Sequence, residues 1–250
     1  MALPSPLPLK NPPIIEALLD VQVAFPHPIE AQRLKDLGEV VKSAYPVVKP
    51  QFMATIQFQP IPLQAPAKPS IDQGFRGFSF LSEDEKEIVQ FRLDGFTFNR
   101  LAPYISWEDM YKKAFDAWRH YRAGFPEGRV TRVATKFLNK ILIPFDKGRV
   151  DLDDYFAVGI KDLDDETLPT VNFMSQQRFL DSVSGYGVDL NLSRFLPEQQ
   201  LGVILDIEVF TQDPSHLAAA EPFSILATMR EIKNSLFLKA LTPKGLDLFK

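Results

Sequence analysis

The residues with the clearest chemical potential are carboxylates spaced two apart. Asp189 and Asn191 alternate with Val188, Leu190 and Leu192, and Asp206 and Glu208 alternate with Val203, Leu205, Ile207 and Val209. Period-two alternation places each polar set on one face of a strand. A hairpin turning near Pro197 to Gln200 sets Asp189 opposite Glu208 and Asn191 opposite Asp206. Like charges directly opposite repel. Compensation must then come from Arg178, Arg194, a cation or a basic partner surface. A basic row, Arg132, Lys136 and Lys140, alternates with Val133, Thr135, Phe137, Asn139 and Ile141. Arg132, Lys136, Lys140, Asp189, Asp206 and Glu208 are therefore the candidate ligand-binding residues. The competing reading is a solvated sheet face neutralised by nearby arginines.

Other chemistries find little support. The chain has no cysteine, which excludes disulfides, thiolate metal sites and thiol nucleophiles. His27, His120 and His216 show no metal-ligand spacing. Glycine-rich phosphate loops and a GxSxG elbow are missing from the sequence. Gly185-Tyr186-Gly187 reads as hairpin chemistry, and Ser184 beside it has no activating pattern. No catalytic residue, metal or cofactor is assigned on these grounds.

Composition narrows the class. At 250 residues, 45% hydrophobic and 24% charged, the chain is long enough to bury a substantial core and composed like a globular protein. A net charge of -4 runs against the basic excess of nucleic-acid binders. The start, Met1-Ala2-Leu3-Pro4-Ser5-Pro6, lacks the basic and apolar regions of a secretory signal, and no apolar run approaches a membrane span. The expectation is a cytoplasmic protein with no nucleic-acid or membrane partner.

The elements that must position these residues repeat in order. Alternation from Ile14 to Phe25 predicts a strand, Pro28 to Ala44 a helix, and Phe52 to Phe58 a second strand. Pro60 to Ser70, with four prolines, reads as a long loop. Strands follow around Phe78-Phe80, Val89-Leu93 and Phe96-Phe98. The parity switch at Asp94-Gly95 marks a tight hairpin or a bulge. Ser106 caps a helix reaching about Tyr121. The second half reads as a strand from Arg129 to Pro144, a short helix near Leu152 to Phe156, three strands (Val171 to Leu180, Val188 to Phe195, Val203 to Phe210) and a helix from Pro222 to Leu241. The predicted fold is α+β: two pseudo-symmetric β-α-β-meander-α halves, residues 1–126 and 127–250, forming one curved antiparallel sheet with helices on one face. The TATA-binding protein has that plan, an analogy of fold alone. The opening strands of the halves are expected side by side, with Glu16 and Asp20 pairing to Arg132, Lys136 and Lys140.

Aromatic residues raise two further questions. The phenylalanines of the first meander (Phe75, Phe78, Phe80, Phe91, Phe96, Phe98) either line an apolar pocket or pack under helices. Trp107 and Trp118 lie on one predicted helix but not on one stripe, which leaves one for an interface. Asn234 is a poor mid-helix residue, and with Lys233 it faces either a partner or solvent. Trp107, Lys233 and Asn234 are the candidate partner-binding residues.

Three stretches carry a family resemblance: Asn11-Pro12-Pro13-Ile14-Ile15-Glu16-Ala17, the run Arg132 to Ile141 leading to Pro144, and Lys233-Asn234-Ser235-Leu236-Phe237 with Leu241-Thr242-Pro243. Together they resemble a sporadically distributed bacterial protein family of about this length and of unknown function. That family typically shows Arg-Tyr-Asn-like character in its central strand, where this chain has Phe137 and Leu138 before Asn139. The resemblance implies an accessory or mobile-element role, phage defence included, and assigns no catalytic residue. The functional expectation is a non-enzymatic interaction or regulatory protein acting through a protein partner, with a homodimer as one form of association. The alternative is a small-molecule-binding protein, with or without hydrolysis, that uses the groove between the halves.

Overall fold

The computed structural model describes residues 9–57, 70–144, 150–159, 172–195, 200–217 and 221–250. The first strands are β1 (Ile14–Ala24), β2 (Val47–Gln57), β3 (Ser70–Leu81), β4 (Glu87–Arg92) and β5 (Gly95–Leu101). The later ones are β6 (Arg129–Pro144), β7 (Met174–Leu180), β8 (Tyr186–Phe195) and β9 (Gln200–Thr211). They form one nine-stranded sheet in the order β2-β3-β4-β5-β1-β6-β9-β8-β7, antiparallel at every pairing. The helices are α1 (Ala31–Gly38), α2 (Trp107–Gly124), α3 (Leu226–Ala240) and α4 (Pro243–Asp247). The expected α+β class, with an antiparallel sheet and a few helices, is observed.

One face of the sheet carries the long helices, as the register shows. Phe137 lies opposite Ala17, Leu19 opposite Phe98, and Val21 opposite Phe96, so these side chains share a face. Tyr121 and Trp118 of α2 contact the Phe96 ring from above, and Lys233 of α3 contacts Phe137. Phe91, Phe96, Phe98, Val203, Leu205 and Ile207 are fully buried beneath these helices, each stabilising the fold by about 1.5–3 kcal/mol relative to exposure. Phe80, Phe91, Phe96 and Phe98 of the first meander are thus buried under helices, while Phe75 and Phe78 are partly buried at the border of the core.

Several expectations need correction. The helix expected over Pro28 to Ala44 is regular only over Ala31–Gly38, and the chain continues in turns to Ala44. Gly38 is a weak helix former held against the Phe80 ring, where a Cβ would collide, and the β-branched pair Val40-Val41 follows it. The short helix near Leu152 is a single 3₁₀ turn, and Pro222–Ile225 is likewise 3₁₀ before α3 begins. Neither tryptophan is left for an exposed interface: Trp107 is 7% and Trp118 1% exposed.

The hairpin at Asp94-Gly95 is confirmed, with Arg92 opposite Gly95 across a two-residue turn. Gly95 has φ 147°, and a Cβ there would strike the Val21 carbonyl. The proline-rich loop and the turn near Pro197 lie outside the described residues, apart from Ser70 and Gln200 at their ends. Among the described residues, no helix is long and apolar enough to cross a membrane.

β1 and β6 are neighbours at the centre of the sheet, as expected, but their charged rows do not pair with each other. Asp20 faces Ala134, Glu16 faces Leu138, and Lys136 faces Leu18. The register sets these three charges against apolar residues and Arg132 against Gln22, so acids and bases turn to the strands on their outer sides.

Candidate functional site

The charged candidates lie on the helix-free face. Asp189 faces Glu208 and Asn191 faces Asp206, as the alternation predicts. Arg178 of β7 donates from Nε to Asp189 Oδ1 at 2.6 Å and from Nη2 to Oδ2 at 2.7 Å. Hydrogen bonding from Arg178 holds Asp189 below the ordinary carboxylate range, and the charges of Arg178, Arg132 and Lys136 act in the same direction. Arg132 reaches Glu208 at 2.5 Å and Lys136 reaches Asp206 at 2.9 Å. Lys140 lies apart, its Nζ 5.3 Å from the Phe195 ring centroid. Arg194 shares the parity of Leu190 and Leu192 and faces Val203, so it belongs to the covered side and not among the compensating groups. The basic and acidic rows thus compensate each other in ladders across β6, β9, β8 and β7. Five of the six candidates sit in these pairs, and none of the six lines the cavity on the helix side.

A cavity of about 310 Å³ lies instead on the helix side, over the junction of β1 and β6. Ile14, Phe137 and Asn139 line it from the sheet. Tyr104 and Trp107, at the start of α2, line one side, and Lys233, Asn234 and Phe237 of α3 the other. Arg230 and Glu108 line its more exposed part, with side chains 35% and 74% exposed and 3.6 Å apart. Volume and lining fit a small ligand: mostly apolar walls with a few polar groups.

Local structure explains why these side chains meet. Ser106 caps α2 by accepting the Asp109 N–H at 3.1 Å, which fixes Trp107 in the first turn. Glu87 Oε1, on β4, takes Arg100 at 2.7 Å and Lys113 at 2.6 Å, tying α2 to the sheet. Phe223, just before α3, packs edge-on against Tyr111 of α2 at 5.5 Å and near Phe115 at 5.3 Å. The spacing of Lys233 and Phe237, four residues apart, puts both on the buried face of α3.

Lys233 is the anomaly of the site. It is 8% exposed, and among the described residues it makes no hydrogen bond or ion pair. Its Nζ sits 3.9 Å from the Phe137 ring centroid. Burial, and secondarily the charge of Arg230, draw its ammonium down to about 7. The ring face favours the charged form, but by less than desolvation disfavours it. Burial likewise pushes the Tyr104 hydroxyl up to about 12. Asn139 donates its amide to the Leu205 carbonyl at 3.0 Å, while its Oδ1 accepts no hydrogen bond from the described residues. The cavity is therefore lined by an amine, a phenol and an amide, with the Arg230–Glu108 pair in its more exposed part.

The three candidate partner-binding residues, Trp107, Lys233 and Asn234, all line this cavity. So do residues of all three stretches that carry the family resemblance: Pro12, Pro13 and Ile14, then Phe137 and Asn139, then Lys233, Asn234 and Phe237. Sequence reasoning did not single out Tyr104, Asn139 or Arg230. Asn139 left a signal, being the amide in the otherwise apolar or hydroxyl row Val133, Thr135, Phe137, Ile141. His27 and His120 are exposed. Among the described residues, no group of three or more His, Asp or Glu is placed to hold a metal ion.

Compared with known proteins, the chain matches no family model, no curated protein and no solved structure.

Proposed function

We propose that this protein binds a small, largely apolar organic molecule bearing an oxygen acceptor, in the cavity between α2 and α3. The observation that carries this reading is Lys233, a buried amine that lines the cavity and, among the described residues, makes no hydrogen bond or ion pair. A buried polar group without a partner costs about 1–3 kcal/mol, and a ligand oxygen would remove that cost. Trp107, Phe137 and Phe237 supply the apolar surface for the rest of the molecule. The cavity lies over the junction of β1 and β6, the strands expected to open the two halves, which supports reading it as the expected groove between them. The family resemblance supports the same place, because its three stretches meet there.

The test is calorimetric titration with 3-phenylpropionate, which pairs an aromatic body with a carboxylate. Saturable binding that weakens at least tenfold in Lys233→Met is expected. Equal binding by both proteins would reject the site.

A second reading, action through a protein partner or a second copy of the chain, is favoured by a different observation. On the edge strand β7 Met174 is 80% and Leu180 62% exposed, and Val183 in the turn that follows is 94% exposed. An edge with exposed apolar side chains is a template for strand addition. Such a partner would suit the accessory or phage-defence role that the resemblance implies. Light scattering of the native protein and of Leu180→Lys tests self-association at that edge, a monomer in both excluding the homodimer.

A further inference from the structure

We infer that Lys233 is a carbonyl-capturing lysine, which holds an aldehyde or ketone ligand as a reversible imine. The inference rests on the cavity being a ligand site and goes beyond it by naming the reacting group. Four features of the cavity support it. The amine is more than nine-tenths buried and still lines an open cavity. No carboxylate or hydrogen-bond acceptor among the described residues ties it down. Its neighbour Phe137 offers a flat apolar floor 3.9 Å from Nζ. Tyr104 lies edge-on to the same ring at 6.0 Å and lines the same cavity.

Desolvated amines in apolar pockets are the usual nucleophiles of Schiff-base chemistry, since only the free base attacks a carbonyl. The charged or titratable groups lining the cavity are Arg230 from α3, and Tyr104 and Glu108 at the start of α2. β1 and β6 contribute none. Arg230 opposes protonation of Lys233, and Glu108 is paired with Arg230 in the exposed part. The uncharged amine is thus available near neutral pH.

The step balances without an outside oxidant or reductant. The Nζ lone pair forms a C–N bond to the carbonyl carbon, and the carbonyl oxygen gains a proton as the nitrogen loses one, giving a carbinolamine. The C–O bond then breaks, the nitrogen loses its second proton, and the oxygen leaves as water, so that amine plus carbonyl gives imine plus water. Tyr104, protonated at neutral pH and lining the same cavity, is the candidate hydrogen-bond donor to the carbonyl oxygen, with water carrying the protons.

The probe is 3-phenylpropanal with sodium cyanoborohydride, which reduces an imine to a stable secondary amine. Peptide mass spectrometry of the intact chain after brief treatment at neutral pH locates the adduct. Lys233 should be labelled at least tenfold faster than any other lysine, and excess 3-phenylpropionate should block labelling there without touching the surface lysines. Labelling spread over exposed lysines, with Lys233 spared, would overturn the inference. Binding of 3-phenylpropionate without an adduct at Lys233 would overturn the imine while leaving the ligand site standing. Neither binding nor labelling would remove both. Because the competition uses the native protein, the result does not depend on a Lys233 variant folding.

Discussion

The Nζ of Lys233 lies 3.9 Å from the centre of the Phe137 ring, joining the last long helix to β6, beside the central strand of the sheet. The relationship is costly for the fold and useful for a ligand. Met, with similar length and no charge, would fill the same space more comfortably. The native lysine therefore makes a polar demand on the cavity that no described residue meets.

That cost gives a pH signature. The folded-state value of about 7 lies below the ordinary 10.5, so between these values the unfolded chain binds a proton that the folded one does not. Stability must rise with pH through that window and be flat, in this respect, below it. Lys233→Met removes the effect. Urea unfolding should find the variant more stable than the native protein at pH 6 by roughly 2–4 kcal/mol, with the gap closing towards pH 10. A constant gap would mean that Lys233 is not desolvated in the folded state.

The Glu87 cluster sets where the first turn of α2 stands. Glu87→Ala leaves Arg100, whose side chain is 9% exposed, without its carboxylate. Such a loss costs about 3–5 kcal/mol, so a fall in Tm of several degrees is expected by calorimetry. Lys113→Ala removes a side chain that is 37% exposed and should cost less than about 1 kcal/mol.

On the helix-free face, depth ranks the ion pairs. Asp20 meets Arg92 at 2.6 Å, with side chains 13% and 4% exposed, and Arg92 also donates to Thr97. Asp20→Ala should cost about 3 kcal/mol. Arg178 is 65% exposed, so Arg178→Ala should cost less than about 1 kcal/mol. In that variant the Asp189 carboxyl, followed by NMR titration, should move back up towards the ordinary aspartate range. If the two substitutions cost the same, the ranking by burial fails.

Gly95 tests the central hairpin. At φ 147° a Cβ meets the Val21 carbonyl, which belongs to the neighbouring strand and cannot swing away. Gly95→Ala should destabilise by more than about 2 kcal/mol, read from chemical denaturation. Gly74→Ala, with nothing within 4 Å of the new methyl, serves as the control.

Alternation made the sheet legible. The placement of Asp189 opposite Glu208 followed from parity and one turn position, and the neighbouring opening strands followed from the repeated order of elements. Register did not follow: whether Asp20 meets a base or Ala134 depends on an offset of two residues that periodicity cannot fix. The end of α1 at Gly38 depended on the Phe80 ring, a contact from a distant strand. The cavity was harder still. Lys233 and Asn234 stood out as odd residues in a helix, but an isolated helix gives no sign of facing inward. Only α3 docking beside the start of α2 brings Lys233, Trp107 and Asn139 together. Of the charged rows, the most conspicuous chemistry in the sequence, Arg132 and Lys136 meet Glu208 and Asp206, while Asp189 is met by Arg178.

Proton linkage of ligand binding tests the central claim most directly. Lys233 is largely uncharged at pH 8, and a bound carboxylate would favour its protonated form. Calorimetric titration of 3-phenylpropionate at pH 8, in two buffers of different ionisation enthalpy, should show uptake of close to one proton per ligand bound, lost in Lys233→Met. Binding with no proton uptake, or the same uptake in the variant, would contradict the account.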